Sequence, residues 1–223
     1  MQGERKLEVY GEERKAGTLA KVKDALSTDY TTVHDTELRE ALLQCLRSLG
    51  VKVKFDTSSP IRITGITTAW LRLEGESVDG ILLRHYPGEY GRSYEISLHY
   101  VISGMKPELA SRLKARTKEV KEHKFGGKVR NVKWVGGQVA QSLNSDVDLL
   151  HLQVEEGQTK IRIIPEKKHG TVHIVIPAPG EGKWFYSATP VPSFPSVEAE
   201  QLPTRGSFNL YNRIAQHIRN YME

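Results

Sequence analysis

The sequence predicts an α+β fold built mainly on antiparallel sheet, with two or three amphipathic helices packed on one face. Apolar residues recur at helical spacing over residues 36–49 and again over 207–222. Two β-rich stretches, 78–86 and 93–103, flank a six-residue loop that contains a proline and two glycines, which is typical of a β-hairpin. With 223 residues, of which 38% are hydrophobic and 26% charged, the chain can bury a substantial core.

The first firm element is the helix predicted at 36–49. Its apolar positions follow the i, i+3, i+4, i+7 rule and comprise Leu38, Ala41, Leu42, Cys45, Leu46 and Leu49. Asp35 or Thr36 can cap its start, and Gly50 stands where a left-handed residue often ends a helix. Strands are predicted next, at 51–55, 61–64 and 68–73.

The hairpin of 78–86 and 93–103 has an apolar face and a polar face if the two strands pair symmetrically about the loop. The predicted pairs on the apolar face are Ile81–Leu98, Leu83–Ile96 and His85–Tyr94. The polar face carries Arg84 and Glu95 as direct cross-strand neighbours, followed by Ser97 and His99.

A helix is predicted over 106–124, because Pro107 suits a first helical turn and Leu109, Leu113 and Val120 share one side of a helical wheel. On that helix, Glu108–Arg112 and Lys118–Glu122 would form ion pairs one turn apart. The remaining predicted elements are a strand at 128–135, short helices at 138–143 and 146–152, a hairpin of 160–164 with 171–176, a strand at 184–187 and the helix 207–222. The apolar stripe of that last helix predicts that it docks back on the body.

The predicted organisation is a polar lead-in, 1–35, followed by two modules. The first, 36–104, contains a helix and β-rich segments, and the second, 105–223, includes a proline-rich segment at 177–206. A single continuous domain, 36–223, is the alternative.

Composition excludes several classes of protein. A single cysteine, Cys45, leaves no intramolecular disulfide framework, and its place on an apolar helical stripe predicts a core thiol. No apolar run approaches the roughly 20 residues that span a bilayer. The charged start lacks the apolar region of a secretory signal, so the cytoplasm is the expected compartment. The oligomeric state is left open.

Positive charge is concentrated in one segment, 106–133. It contains ten Lys or Arg and three Glu, a net charge of +7, whereas the whole chain carries +5. Such a local excess favours an anionic partner, either an acidic protein or a nucleic acid. The predicted anion-binding residues are Arg116, Lys124, Lys128, Arg130 and Lys133.

Arg84, Glu95 and His99 on the polar hairpin face are the candidate catalytic residues. A carboxylate and an imidazole on one face can perform general acid–base chemistry. The alternative interpretation is an ordinary Arg84–Glu95 cross-strand pair on a solvated face.

Other motifs point to no cofactor and no metal. His169 and His173 are four residues apart but fall on a turn and a strand, and Asp146 suits a helix cap. Gly136 and Gly137 stand between a strand and a helix, but no established phosphate-loop motif surrounds them.

The sequence therefore predicts a non-catalytic binding or accessory protein with a basic surface for an anionic partner. Two alternatives stay open: an enzyme of hydrolase type that uses the polar hairpin face, and a structural subunit of a complex.

Overall fold

The computed structural model describes residues 30–56, 70–87, 93–123, 126–176, 183–187 and 202–223. Within these residues, nine strands form one antiparallel sheet and five α-helices accompany it, so the predicted α+β class is confirmed. The predicted strand 61–64, the lead-in up to residue 29 and most of the proline-rich segment lie outside the described residues.

The described helices are α1 (Tyr30–Ser48), α2 (Ala110–Leu113), α3 (Val139–Ser145), α4 (Val147–Glu155) and α5 (Arg205–Met222). The strands are β1 (Lys52–Asp56), β2 (Trp70–Glu74), β3 (Gly80–Pro87), β4 (Ser93–Ser103), β5 (Ala115–His123), β6 (Gly126–Gly136), β7 (Arg162–Glu166), β8 (Thr171–Val175) and β9 (Lys183–Ser187).

The strand order is β1-β2-β3-β4-β8-β7-β5-β6, and β9 pairs with the first half of β4. Strand β4 therefore joins the two halves of the chain: it pairs with β3 on one side, and with β8 and β9 on the other. The sheet thus continues across residue 104, while the division into modules stays a prediction.

The helices cover one face of the sheet, which we call the helical face. Helix α1 buries Leu38, Leu42 and Leu46 there, and α5 stacks Tyr211 on Tyr100 of β4 with ring centroids 4.1 Å apart. Helix α5 begins with a capping box, in which Thr204 and Ser207 bond each other's backbone N–H groups. The predicted docking of the C-terminal helix is confirmed.

Several local predictions are confirmed. Helix α1 ends at Ser48, and Gly50 adopts the left-handed conformation with φ 74°. The predicted start of this helix is wrong, because it begins at Tyr30 and residues 35 and 36 lie within it rather than at its cap. The hairpin of β7 and β8, the strand β9 and the pair of short helices α3 and α4 all form where the sequence predicts them. Asp146 caps α4, as predicted, by accepting a hydrogen bond from the Leu149 N–H.

The predicted register of the β3–β4 hairpin is wrong by two residues. Ile81 pairs with Tyr100 rather than Leu98, and Arg84 pairs with Ser97 rather than Glu95. A shift of two keeps every side chain on its predicted face, so the apolar pattern fits both registers. In the observed register Tyr100 lies deep in the core, against α5.

The predicted helix over 106–124 is also wrong. A 3₁₀ turn (Pro107–Leu109) and the four-residue α2 are followed at once by the nine-residue strand β5. In β5, Ala115 is buried and Thr117 half-buried, whereas Arg116 and Lys118 are exposed, which is the alternation of a strand. Pairing with β6 and β7 outweighs the helical propensity of this segment.

Candidate anion-binding face

Four cations lie together on the sheet face opposite the helical face. Arg116 of β5 stands directly opposite Arg162 of β7, and Lys118 of β5 directly opposite Lys133 of β6. Directly opposite residues of antiparallel strands point to the same face, and so do residues two apart on one strand. We call Arg116, Lys118, Lys133 and Arg162 the basic array.

The basic array lacks counter-charges. All four side chains are exposed, and in the described part of the chain none of them takes part in an ion pair or a side-chain hydrogen bond. Like charges directly opposite each other destabilise a sheet. Two such pairs side by side are therefore a cost to folding that an external anion would relieve.

A cleft of about 860 Å³ adjoins the basic array where β5 begins and β6 ends. Its lining combines the cations Lys114, Arg116 and Arg162 with the apolar side chains of Val135 and Ile164. Such a lining suits a ligand or polymer segment that offers negative charge beside apolar surface.

Gly136 and Gly137 shape one end of this cleft. A Cβ at either position would collide with backbone atoms, of Lys114 for Gly136 and of Arg112 for Gly137. The Gly137 N–H donates to the Lys114 carbonyl oxygen at 2.7 Å. The two glycines thus allow the chain after β6 to pack against the segment that leads into β5, and the Gly137 N–H already has an acceptor.

The five predicted anion-binding residues have four different outcomes. Arg116 and Lys133 belong to the basic array, and Lys124 lies outside the described residues. Arg130 instead pairs with Glu122, with Nε and Oε1 2.9 Å apart. The pairing of β5 with β6 shifts register between Val120 and Lys121, so the regular alternation ends before Lys128, which is exposed.

Sequence reasoning missed Lys118 and Arg162. Lys118 was assigned to a helical ion pair with Glu122, which a strand does not form because residues four apart lie about 13 Å apart along it. Arg162 lay within a predicted strand, and only the pairing of β5 with β7 brings it beside Arg116.

Of the candidate catalytic residues, Arg84 and His99 join a partly buried polar cluster on the same sheet face. Arg84 Nη1 donates to Glu166 Oε1 at 2.8 Å, and Glu166 Oε2 lies 3.7 Å from His173 Nε2. His173 Nδ1 is 3.0 Å from His99 Nδ1, and both rings are buried. Glu95 pairs in register with Tyr86, two positions from Arg84 along β3.

His173 is neutral at physiological pH. Burial lowers its pKa to about 4, against the opposing effect of the Glu166 carboxylate. Its Nε2 lies 3.1 Å from Thr171 Oγ1, so both ring nitrogens face partners inside the sheet layer. Only one of the two facing Nδ1 atoms carries the hydrogen of this contact, so one ring donates and the other accepts.

This buried histidine predicts a loss of stability in weak acid. The unfolded chain takes up the proton near pH 6.5, whereas the folded chain resists it down to about pH 4, so the free energy of unfolding falls as pH drops through this window. From pH 7 to pH 5 we expect a loss of about 2 kcal/mol, measurable by urea unfolding. The drop should shrink in His173→Gln and persist in His123→Gln, whose histidine is exposed. An equal drop in both variants would contradict this assignment.

Among the described residues, no group of three or more His, Cys, Asp or Glu side chains is arranged to hold a metal ion. None of the described helices has the length and apolarity needed to cross a membrane. Comparisons with protein-family models, with curated proteins and with solved structures give no match for the chain.

Proposed function

We propose that this protein is a nucleic-acid-binding module, and that the basic array contacts the phosphate backbone. The observation that carries the proposal is the double like-charge pairing, Arg116 with Arg162 and Lys118 with Lys133, without a carboxylate partner in the described part of the chain. Lys114 extends the positive charge into the adjoining cleft. Neutralisation of these cations by phosphates releases counterions and drives association.

The surroundings of the basic array favour contacts to phosphates over contacts to bases. Single strands are commonly bound by stacking of bases on aromatic side chains. Phe55 is the one exposed large aromatic residue among those whose exposure is described, and it lies on β1, at the opposite edge of the sheet. A duplex backbone, bound without regard to sequence, therefore fits the array best.

A nucleic acid is favoured over an acidic protein because of the regular order of the cations. Arg116 and Lys118 are two residues apart on one strand, about 7 Å, and each faces a second cation across the ladder. A duplex presents one negative charge per about 1.7 Å of its axis, so it meets this array in many positions. An acidic protein would need carboxylates set out in one matching pattern.

The proposal is tested by titrating the full chain with a fluorescent DNA duplex at salt concentrations from about 50 to 200 mM. Four phosphate contacts predict a slope of about −3.6 in log K against log salt, which is roughly a hundredfold loss of affinity over this range. Polyglutamate of matched charge serves as the comparison ligand. Absence of binding to the duplex, or affinity that does not change with salt, contradicts the proposal. Binding to polyglutamate alone would assign the array to an acidic protein instead.

A further inference from the structure

A second polar cluster lies where helices α3, α4 and α5 meet. Ser142 of α3 and Asp146, the residue between α3 and α4, are four residues apart, as are Arg213 and His217 on α5. Residues at this spacing lie on the same side of a helix. The His217 ring is thereby placed between Ser142 and Asp146.

The contacts in this cluster form a continuous relay. Ser142 Oγ lies 2.6 Å from His217 Nδ1, and His217 Nε2 lies 2.9 Å from Asp146 Oδ2. Arg213 donates from Nε to Asp146 Oδ2 at 2.7 Å and from Nη2 to Oδ1, which fixes the plane of the carboxylate. Nucleophile, base and orienting group thus lie in hydrogen-bond contact in the order that an activated serine requires.

The charge of Asp146 determines the direction of each hydrogen bond. Burial alone would raise the pKa of Asp146, but hydrogen bonds from Arg213, from His217 and from the Leu149 N–H outweigh it and lower the pKa to about 2. An ionised carboxylate only accepts hydrogen bonds, so His217 Nε2 must carry the hydrogen. In the neutral ring Nδ1 is then the acceptor, and the Ser142 hydroxyl donates to it.

A cleft of about 440 Å³ opens beside this relay. It is lined by Ser142, Ser145, Asp146, Val147, Asp148 and His217. Val147 and Asp148 also stand in the first turn of α4, where backbone N–H groups have no acceptor within the helix itself. These N–H groups are the available donors for an oxygen that becomes negatively charged.

We propose that Ser142, His217 and Asp146 form an ester-hydrolysing site, with Ser142 as the nucleophile and His217 as the general base. The substrate class is a carboxylic ester without negative charge, because the two carboxylates of Asp146 and Asp148 in the cleft lining outnumber the single Arg213 guanidinium that pairs with both. The His217 ring is turned so that Nδ1 faces the serine and Nε2 the carboxylate, and a neutral imidazole can act as a base through either nitrogen.

The proposed reaction has two steps. Ser142 Oγ attacks the ester carbonyl carbon while its proton passes to His217 Nδ1, and the alcohol leaves with that proton as the C–O bond breaks. A water molecule then attacks the acyl-serine, gives its proton to Nδ1 and releases the carboxylic acid, and the proton returns to Ser142 Oγ. The sum is ester plus water to acid plus alcohol. Asp146 holds the ring in place throughout, and Arg213 is a positioning residue.

The test is covalent labelling of the full-length protein by an alkyl fluorophosphonate, which is attacked by an activated serine and loses fluoride. Mass spectrometry of the wild-type protein should locate one adduct on Ser142. Ser142→Ala should abolish it, and His217→Gln should slow it at least a hundredfold, the usual size of a general-base contribution. Ser48→Ala is the matched control, because Ser48 lies at the end of α1, outside this cleft, and its hydroxyl donates to the Cys45 carbonyl oxygen instead of an imidazole.

Hydrolysis of p-nitrophenyl butyrate is measured on the same four proteins, and urea unfolding shows that each variant is folded. The proposal predicts that hydrolysis and labelling fall together in Ser142→Ala and His217→Gln but not in Ser48→Ala. The proposal is overturned if the folded wild-type protein takes no adduct on Ser142, or if folded His217→Gln is labelled as fast as the wild-type protein. The cluster would then serve only to hold the helices together by hydrogen bonds. Since the adduct is mapped on the wild-type chain, the result does not depend on any variant folding.

Discussion

Replacing Arg116 and Arg162 together by glutamine is expected to weaken duplex-DNA binding about a hundredfold at about 50 mM salt. Each phosphate contact adds about 0.9 to the salt slope, which corresponds to roughly tenfold in affinity at this salt concentration, so two lost contacts multiply to about a hundredfold. The slope itself should fall by about 2. Fluorescence anisotropy over a salt series measures both quantities.

The same double variant should be more stable than the wild-type protein. Arg116 and Arg162 are direct cross-strand neighbours of like charge, and their neutralisation removes a repulsion of up to about 1 kcal/mol. If the two arginines contributed to folding instead, their replacement would lower the free energy of unfolding. Weaker binding with unchanged or higher stability thus identifies a functional pair, whereas loss of stability with unchanged binding would contradict the assignment.

The matched control is Lys167→Gln with Lys168→Gln. These two lysines are exposed in the turn that follows β7, and their replacement changes the net charge by the same amount. They lie five or more residues beyond Arg162, about 17 Å along the strand. If this control weakens binding as much as the double arginine variant, net charge and not the basic array determines affinity.

Replacing Gly137 with alanine is expected to lower the free energy of unfolding by about 3 kcal/mol, as a methyl group forced into a packed site does. The new Cβ would collide with the carbonyl group of Arg112 and the carbonyl oxygen of Ser111, and backbone atoms cannot rotate away as a flexible side chain can. The segment before β5 would have to shift, and with it Lys114 and one end of the cleft. We expect DNA affinity to fall as well.

Gly157→Ala separates this collision from backbone strain. Gly157 has φ 68°, which is unfavourable for alanine, but an added Cβ would meet nothing within 4 Å. We expect Gly157→Ala to lower the free energy of unfolding by about 1 kcal/mol. Urea unfolding at pH 7 measures the free energy of unfolding of both variants. An equal loss in the two would show that the close approach of the backbone at Gly137 does not determine the effect of Gly137→Ala.

The main error of sequence reasoning has a definite physical origin. Leu109, Leu113 and Val120 fit a helical period, but from residue 115 onwards the chain also fits a period of two, with Arg116 and Lys118 on one side. The two periods cannot be separated within so short and polar a segment. The partners β6 and β7 decide between them, and β7 starts more than 40 residues later in the chain.

Because of this error, sequence reasoning also assigned the wrong cations as lacking an acidic partner. A helix would neutralise Lys118 through Glu122 and leave Arg130 without a partner. In the sheet Glu122 pairs with Arg130 instead, and Lys118 faces Lys133. The segment of high charge was therefore predictable from composition, while the individual cations that remain unpaired depend on strand register.

The contacts among Ser142, His217 and Asp146 could not be predicted from sequence, although the role of one of these residues could. Asp146 was predicted as a helix cap, and it is one. The contact of Asp146 with His217 spans 71 residues, and no local pattern connects the two. Helix α5 was predicted to dock through its apolar side, but the pattern does not give the axial position that places His217 beside Ser142.

The central place of β4 has a consequence for how the chain is made. One edge of this strand is complete only when β8 and β9 have joined it, and β9 ends at Ser187. During synthesis the ribosome therefore releases β1 to β4 well before their partners exist, with a long strand edge open to other chains. Pairings so distant in sequence close slowly, because much chain entropy is lost before they form. Newly made chains thus pass through an interval in which association competes with folding, and rapid completion of the C-terminal half protects them.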